Sequence, residues 1–371
     1  MRITELRWTP YAIPFRRPFV TSRYRWDARE GIIIELTTGT GLRGIGDVAP
    51  LPEFGTADVA ACADALNRIA PLLTGAAIDD SVNVLDAAIA DAALSPLRCG
   101  IETACLDVLA RAGGVSLARL LAAAPASRVA VNAVASGESD AMRAVAAGFR
   151  CIKLKVGGAS RESDVARVAA VRSAIGPDVA LRLDANGAWT PADAITFTNA
   201  VAPYAIEFVE QPVAAGDFAA LRRVRDSVTV QIAADEDVTS VQAARRVLDA
   251  RAADVLVVKP AVVGGLRRAL DIVEMAAAAG ASAVITSAMD SGVGVAAALH
   301  VAAASQGPTS AQSPRASGLA TLDLLVDDLL CGGLPVAGGA MTLPTGPGLG
   351  VELDRQALDR YATGPTRVAT P

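Results

Sequence analysis

Four ionisable residues stand at the ends of short apolar runs: Asp184 in LRLDANG, Glu210 in IEFVEQP, Asp235 in QIAADED and Lys259 in VLVVKP. They are spaced 26, 25 and 24 residues apart, about the length of one strand, one helix and two loops. A barrel of repeated βα units has that pitch, and its active site collects residues from the carboxyl ends of different strands. The spacing therefore predicts one converging site. Three carboxylates suit a hard divalent cation with oxygen ligands, leaving positions for water or substrate. Magnesium is the first expectation, with manganese as the alternative. Each acid could instead cap the helix that follows it, because Asp is favoured there. Glu236 and Asp237 follow Asp235 directly and compete with it for the third ligand position. Asn186 could assist the same site or simply form the turn in DANG.

In the run CIKLKV, side chains alternate faces, so Lys153 and Lys155 share one face while Ile152, Leu154 and Val156 take the other. If the lysine face is the barrel interior, burial and the second cation would both lower a lysine pKa toward a general-base value. A solvated pair on an edge strand is the plainer alternative, which the flanking apolar residues weaken. Lys259 would face this pair across the barrel mouth. A metal between opposed lysines suits abstraction of a proton next to a carboxylate: the cation neutralises developing charge while a lysine moves the proton.

The elements that must position these groups are legible as patterns. Residues 1–125 read as strands (ITELRWTPYAI, GIIIELTT) followed by Ala/Leu-rich helices from about residue 57, an α+β capping domain. From about Val129 the order becomes strand then helix repeatedly, through RVAVNAV, CIKLKV, VALRLD, AIEFVE, VTVQIAA, DVLVVK and ASAVIT. Apolar strands separated by single helices imply a parallel sheet buried on both faces. Polar strand ends recurring all the way round favour closure into a barrel over residues 126–334. The Gly/Pro-rich tail, about 335–371, does not continue the pattern and is expected to pack back on the first domain. GTGLRG (Gly39 to Gly44) matches GxGxxG, but IGDVAPLP follows it with Pro50 and Pro52 where a dinucleotide fold needs a helix, so a hairpin turn is predicted.

Composition bounds the class. With 371 residues and 52% hydrophobic content, the chain can bury a large core. Lys+Arg 34 against Asp+Glu 39 gives a net charge of −5, and no basic run supports nucleic-acid binding. Cys62, Cys99, Cys105, Cys151 and Cys331 are scattered without CxxC spacing, as expected of reduced thiols in a cytoplasmic protein. Neither an export signal nor a membrane segment is evident. The expected partner is a small-molecule carboxylate substrate, and the sequence leaves monomer and homo-oligomer both open. The single histidine, His300, lies in the helical run GVGVAAALHVAAA and reads as a packed or capping residue rather than a catalyst.

Together these residues resemble the enolase superfamily, specifically its muconate-lactonizing subgroup, over nearly the whole chain. The subgroup pattern is Lys-x-Lys on the second barrel strand, Asp, Glu and Asp ligands on the third to fifth, and Lys on the sixth. These fall on Lys153 and Lys155, on Asp184, Glu210 and Asp235, and on Lys259. The resemblance implies a modified TIM barrel of (β/α)7β type under an α+β cap. Within the subgroup, GDVAPLPEFG, TSAMDSGVG and SGLATLDLLVDDL are similar to o-succinylbenzoate synthases of menaquinone biosynthesis. That likeness implies a carbon–oxygen lyase that eliminates water from 2-succinyl-6-hydroxy-2,4-cyclohexadiene-1-carboxylate. Lys155 would move the proton, Lys259 would stabilise the opposite face and Lys153 would assist electrostatically. Asn186, Ser287 and Phe54 would touch the substrate, as would cap loops Phe19 to Arg29 and Leu51 to Gly55. Alternatives on the same scaffold are an N-acylamino acid racemase or dipeptide epimerase using Lys155 and Lys259 as opposed bases, then a muconate-type cycloisomerase, and last a non-catalytic binder.

Overall fold

The computed structural model describes residues 1–20, 25–307 and 314–371. Thr21 to Tyr24, inside the first expected cap loop, and residues 308–313 lie outside the described set. Strands Ile3–Val20 and Arg25–Thr38 pair antiparallel, and Arg25–Thr38 turns back into Arg43–Val48. The turn falls on GTGLRG: Gly41 takes φ +82° and donates its N–H to the Thr38 carbonyl at 2.9 Å. Glycine enters that left-handed region without a Cβ penalty, which is why the motif makes a hairpin and not a phosphate loop. Helices Val59–Leu73 and Ser95–Ala112 cover one sheet face, burying Ile32, Ile34, Leu36, Leu66, Ile69, Leu97 and Ile101 together. At the sheet's outer edge Arg367–Ala369, from the chain's tail, pairs with Ile3–Val20.

Seven parallel strands follow in chain order: Ala133–Ala135, Cys151–Lys155, Ala180–Asp184, Ile206–Glu210, Gln231–Ala234, Val255–Val258 and Ser282–Ile285. Each is followed by helix, and the sheet curls until its edges meet across a short eighth stave. Val131 and Thr286 bridge in parallel to Ser317 and Gly318. The Asn132 N–H donates to the Ser317 carbonyl at 3.0 Å, and the Gly318 N–H to the Ile285 carbonyl at 2.9 Å. Closure removes both sheet edges. The result is the modified TIM barrel expected from the sequence, preceded in the chain by the antiparallel sheet.

The period of two sorts each strand between two environments. Ile152, Leu154, Leu181, Leu183, Val209, Ile232, Leu256 and Ile285 face outward into the main core with the surrounding helices. Phe208, Ala233, Val255, Val257 and Val284 face inward and form a small core inside the barrel. Residues in phase with the inward set reach the mouth. Among the described residues no helix is long and apolar enough to cross a membrane.

Candidate active site

Strand register puts the polar residues at one level. Lys155, Asp184 and Glu210 are direct neighbours across consecutive strands, and Asp235 and Lys259 lie just beyond the ends of the fifth and sixth. The capping alternative for the three acids fails. The helices after these strands are capped by Thr190, Asp217 and Ser240, whose side chains accept from Asp193, Ala220 and Ala243 N–H groups. Asp184, Glu210 and Asp235 are therefore left for the mouth, all at most 4% exposed.

Cations fill the spaces between them. Lys153 Nζ lies 2.6 Å from Glu210 Oε1 and 2.9 Å from Asp184 Oδ2. Lys155 Nζ donates to Asn186 Oδ1 at 2.7 Å and lies 3.2 Å from Asp184 Oδ2. Lys259 pairs with Asp235 and stands 4.2 Å from the centre of the Phe54 ring. Glu236 joins the cluster by accepting from Asn186 Nδ2 at 3.1 Å. The lysines stand between the carboxylates, and among the described residues no three acids converge on one point.

Burial and the neighbouring Asp184 push Glu210 up to about 7 against the pull of Lys153. Burial likewise raises Asp235, against Lys259, and Glu236, with Asp184 adding to the latter. Burial also opposes ionisation of Asp184, but the Lys153 and Lys155 ammonium groups outweigh it and hold its carboxyl low. The sequence expectation of a lowered lysine pKa fails at Lys153. Burial would lower it, yet Asp184, Glu210 and Asp235 raise it above its ordinary value, because carboxylates outnumber cations on that face. Lys153 is a standing positive charge.

The cap completes the pocket. Phe19, Trp26, Leu51 and Phe54 line it from above, and Thr286, Ser287, Ala288, Met289, Thr321 and Leu324 from the far rim. Phe19 stacks on Trp26 at 5.4 Å, and Trp26 Nε1 donates to Glu53 Oε1 at 2.6 Å, tying the two cap segments together. The structure thus places Asn186, Ser287 and Phe54 all on the pocket wall. Ser287 Oγ is 2.9 Å from Thr321 Oγ1, while Asn186 spans Lys155 and Glu236.

Several positioning groups escaped the sequence reading. Gln211 accepts the Asp235 N–H at 2.9 Å and donates to Asp237 at 2.8 Å, so Asp237 braces the loop while Glu236 enters the pocket. Helix Ser95–Ala112 holds the turn after Lys259. Arg98 donates to the Gly264 carbonyl at 2.5 Å, and Glu102 accepts the Leu266 N–H at 2.6 Å. Gly265 is required there, since at φ +148° a Cβ would lie 2.1 Å from Glu102 Oε2. The same loops carry backbone strain: Asn186 in DANG, Gln211 in EQP and Met289 in AMD all adopt positive φ. His300 behaves as a cap, its Nδ1 accepting the Ala118 N–H at 3.0 Å.

Comparison with known proteins agrees with this architecture. Residues 3–122 match the mandelate racemase / muconate lactonizing enzyme N-terminal domain, and residues 138–357 match the enolase C-terminal domain-like family. The L-Ala-D/L-Glu epimerase of Bacillus subtilis (strain 168) is 30% identical over 360 residues, covering 95% of this chain and 97% of the relative. The dipeptide epimerase of Enterococcus faecalis V583, solved with Mg and L-Leu-L-Tyr, superposes with a TM-score of 0.88 at 28% identity. That match covers 95% of this chain and all of the other. The o-succinylbenzoate synthase of Thermobifida fusca (strain YX) is 43% identical, but over 206 residues, 54% of this chain and 62% of the relative. Whole-chain likeness therefore supports the racemase or epimerase alternative better than the dehydratase reading. With both domains matched and the site residues in phase on the strands that the pattern requires, the chain belongs to the mandelate racemase and muconate lactonizing enzymes of the enolase superfamily.

Proposed function

We propose that this protein removes a proton from the carbon next to a substrate carboxylate, with Lys155 as the acid–base group. The observation that carries this is the placement of Lys155 at the end of the second barrel strand and Lys259 just after the sixth, with three buried strand-end carboxylates on the strands between. Asp184, Glu210 and Asp235 would hold magnesium. Their donor set fits: it is oxygen only, buried and self-repelling, and beside it Glu236 Oε2 is buried with no hydrogen-bond partner. When bound, the metal supplies positive charge to the carboxylate oxygens as the α proton leaves. Asn186 aims Lys155 through the hydrogen bond that its Oδ1 accepts. Lys153 adds positive charge around the developing anion, Lys259 stands on the side opposite Lys155, and Phe54 with Trp26 excludes water from above.

Two finer reactions use this machinery. In the dehydration that yields o-succinylbenzoate, Lys155 takes the α proton, the carbon–oxygen bond to the neighbouring hydroxyl breaks, and the hydroxyl departs with that proton as water. The far rim supports this reading: among the described residues, those that line the pocket there present hydroxyl and apolar groups, and Asp290, next to Met289, is not one of them, so no lining carboxylate pairs with the ammonium of a free dipeptide. The 43% identity to the Thermobifida fusca synthase supports it too. In the second reading, a 1,1-proton transfer, Lys155 and Lys259 act on opposite faces of one carbon. Whole-chain likeness to the epimerases supports it, and the same rim would restrict it to N-acylated amino acids.

Turnover of the succinyl-hydroxycyclohexadiene carboxylate with magnesium, followed by loss of diene absorbance, is the deciding experiment. Dehydration predicts metal-dependent turnover that falls by at least roughly 10²-fold in Lys155→Ala. Exchange of the α proton of N-succinylamino acids in deuterated water, without diene turnover, would move the function to 1,1-proton transfer. Near wild-type activity of Lys155→Ala on both substrates would remove both readings.

A further inference from the structure

The upper wall of the pocket and its far rim come from distant parts of the chain, and one buried cation stands between them. Arg29 lies three residues beyond Trp26 on strand Arg25–Thr38. Its Nη1 donates to the Pro50 carbonyl at 2.7 Å and the Glu30 carbonyl at 2.9 Å, which fastens it to the loop carrying Leu51 and Phe54. The side chain is buried, yet Nε and Nη2 have no hydrogen-bond partner. Asp290 faces it from the rim, buried as deeply, with Oδ1 also lacking a partner and 3.9 Å from Nη2. That separation is an ion pair but not a hydrogen bond. Two buried charged groups left unjoined at this range are costly, and a shift of about 1 Å would join them.

The surroundings limit which part can move. Asp47 already accepts from Tyr11 OH at 2.9 Å and from Ser291 N and Oγ at 3.0 and 2.8 Å, anchoring the cap sheet to the start of helix Gly292–Ser305. Burial and the nearby Asp47 push Asp290 up to about 7 despite Arg29. Met289, next to Asp290, lines the pocket with φ +59°. Any motion that brings Arg29 onto Asp290 would therefore move Trp26, Phe54 and Met289 toward one another.

We propose that Arg29 and Asp290 form a latch between cap and barrel rim, closing onto each other when the pocket is filled and so positioning its aromatic wall over the substrate. The pair touches no reacting atom. The proposal rests on the reading that substrate binds in this pocket, but the latch itself can be tested without turnover. With magnesium and an N-succinylamino acid present to fill the pocket, hydrogen exchange of the full chain should quicken at least threefold in Asp290→Asn relative to wild type, at residues 49–56 across the pair as well as at 286–292. Arg29→Met should do the same at both segments and Arg29→Lys should largely restore protection. Changes confined to 286–292, or an Arg29→Met protein that exchanges like wild type, would overturn the latch. If the wild type turns over the diene carboxylate, Arg29→Met should raise KM about tenfold with kcat within threefold. An unchanged KM with a fallen kcat would also overturn it. A wild-type protein inactive on both substrates would sink the functional reading and leave the exchange result to decide the latch.

Discussion

Two charged clusters occupy the same barrel and are built on opposite principles. At the amino end, Arg182 is enclosed by partners: Glu207 Oε2 at 2.7 Å, the Ala316 carbonyl at 2.7 Å, and the Phe208 ring at 4.7 Å. Arg315 reaches the other oxygen of Glu207 at 2.7 Å. Burial would raise Glu207, but Arg182 and Arg315 hold it below the usual carboxylate range. At the carboxyl end, Asp184, Glu210, Asp235 and Glu236 face Lys153, Lys155 and Lys259, and three of those four acids are pushed up by burial and by one another. A cluster that satisfies itself stabilises the fold. One whose acids outnumber its cations is ready to take another positive charge, which is where barrel enzymes place their chemistry.

The largest effect should separate the two ends by function. Asp184→Asn should weaken magnesium binding by more than about 100-fold, since even outer partners of ligands cost 10 to 100-fold. Calorimetric titration should find this with thermal stability nearly intact, and wild-type affinity in the variant would remove Asp184 from the ligand set. Arg182→Met should do the reverse. Breaking a buried pair costs about 3–5 kcal/mol, and because Glu207 retains Arg315 the lower end is expected, read by urea unfolding. Unchanged magnesium affinity in that variant would sharpen the contrast, whereas a parallel loss would show that the floor also shapes the mouth.

The smallest effect concerns His300, far from both clusters. Its ring is buried between the Ala118 N–H and the Leu349 carbonyl, and burial lowers it to about 4. The folded pKa lies below the unfolded value, so the unfolded chain takes the proton first. Stability is thus complete above about pH 6.5 and declines as pH falls toward 4, by up to roughly 3 kcal/mol from this group. His300→Gln should flatten that stretch of the unfolding profile; an identical acid dependence would assign it to carboxylates that the fold holds low, such as Glu207.

Particular residues explain what could be read in advance. The pitch of Asp184, Glu210, Asp235 and Lys259 carried the barrel and its mouth, because strand-end position and period two follow from local sequence. The eighth stave was not legible: Ala316 to Gly318 has no strand pattern and joins the sheet through single bridges to Val131 and Thr286. Nor was the choice between Glu236 and Asp237, which turns on Gln211 holding Asp237 aside. The raised pKa of Lys153 depends on three carboxylates from three other strands.

By itself, then, the sequence determined the order of strands and helices, the inward phase of the two lysines on CIKLKV and the identity of the strand-end acids. Hydrophobic period and residue type act over a few neighbours and survive without long-range information. Tertiary structure decided the protonation balance of the mouth, the bracing of Lys259 by Arg98 and Glu102, and the approach of Arg29 to Asp290. Each of these is set by distances between groups far apart in the chain, and electrostatic energy depends on those distances and on burial, which no local pattern encodes.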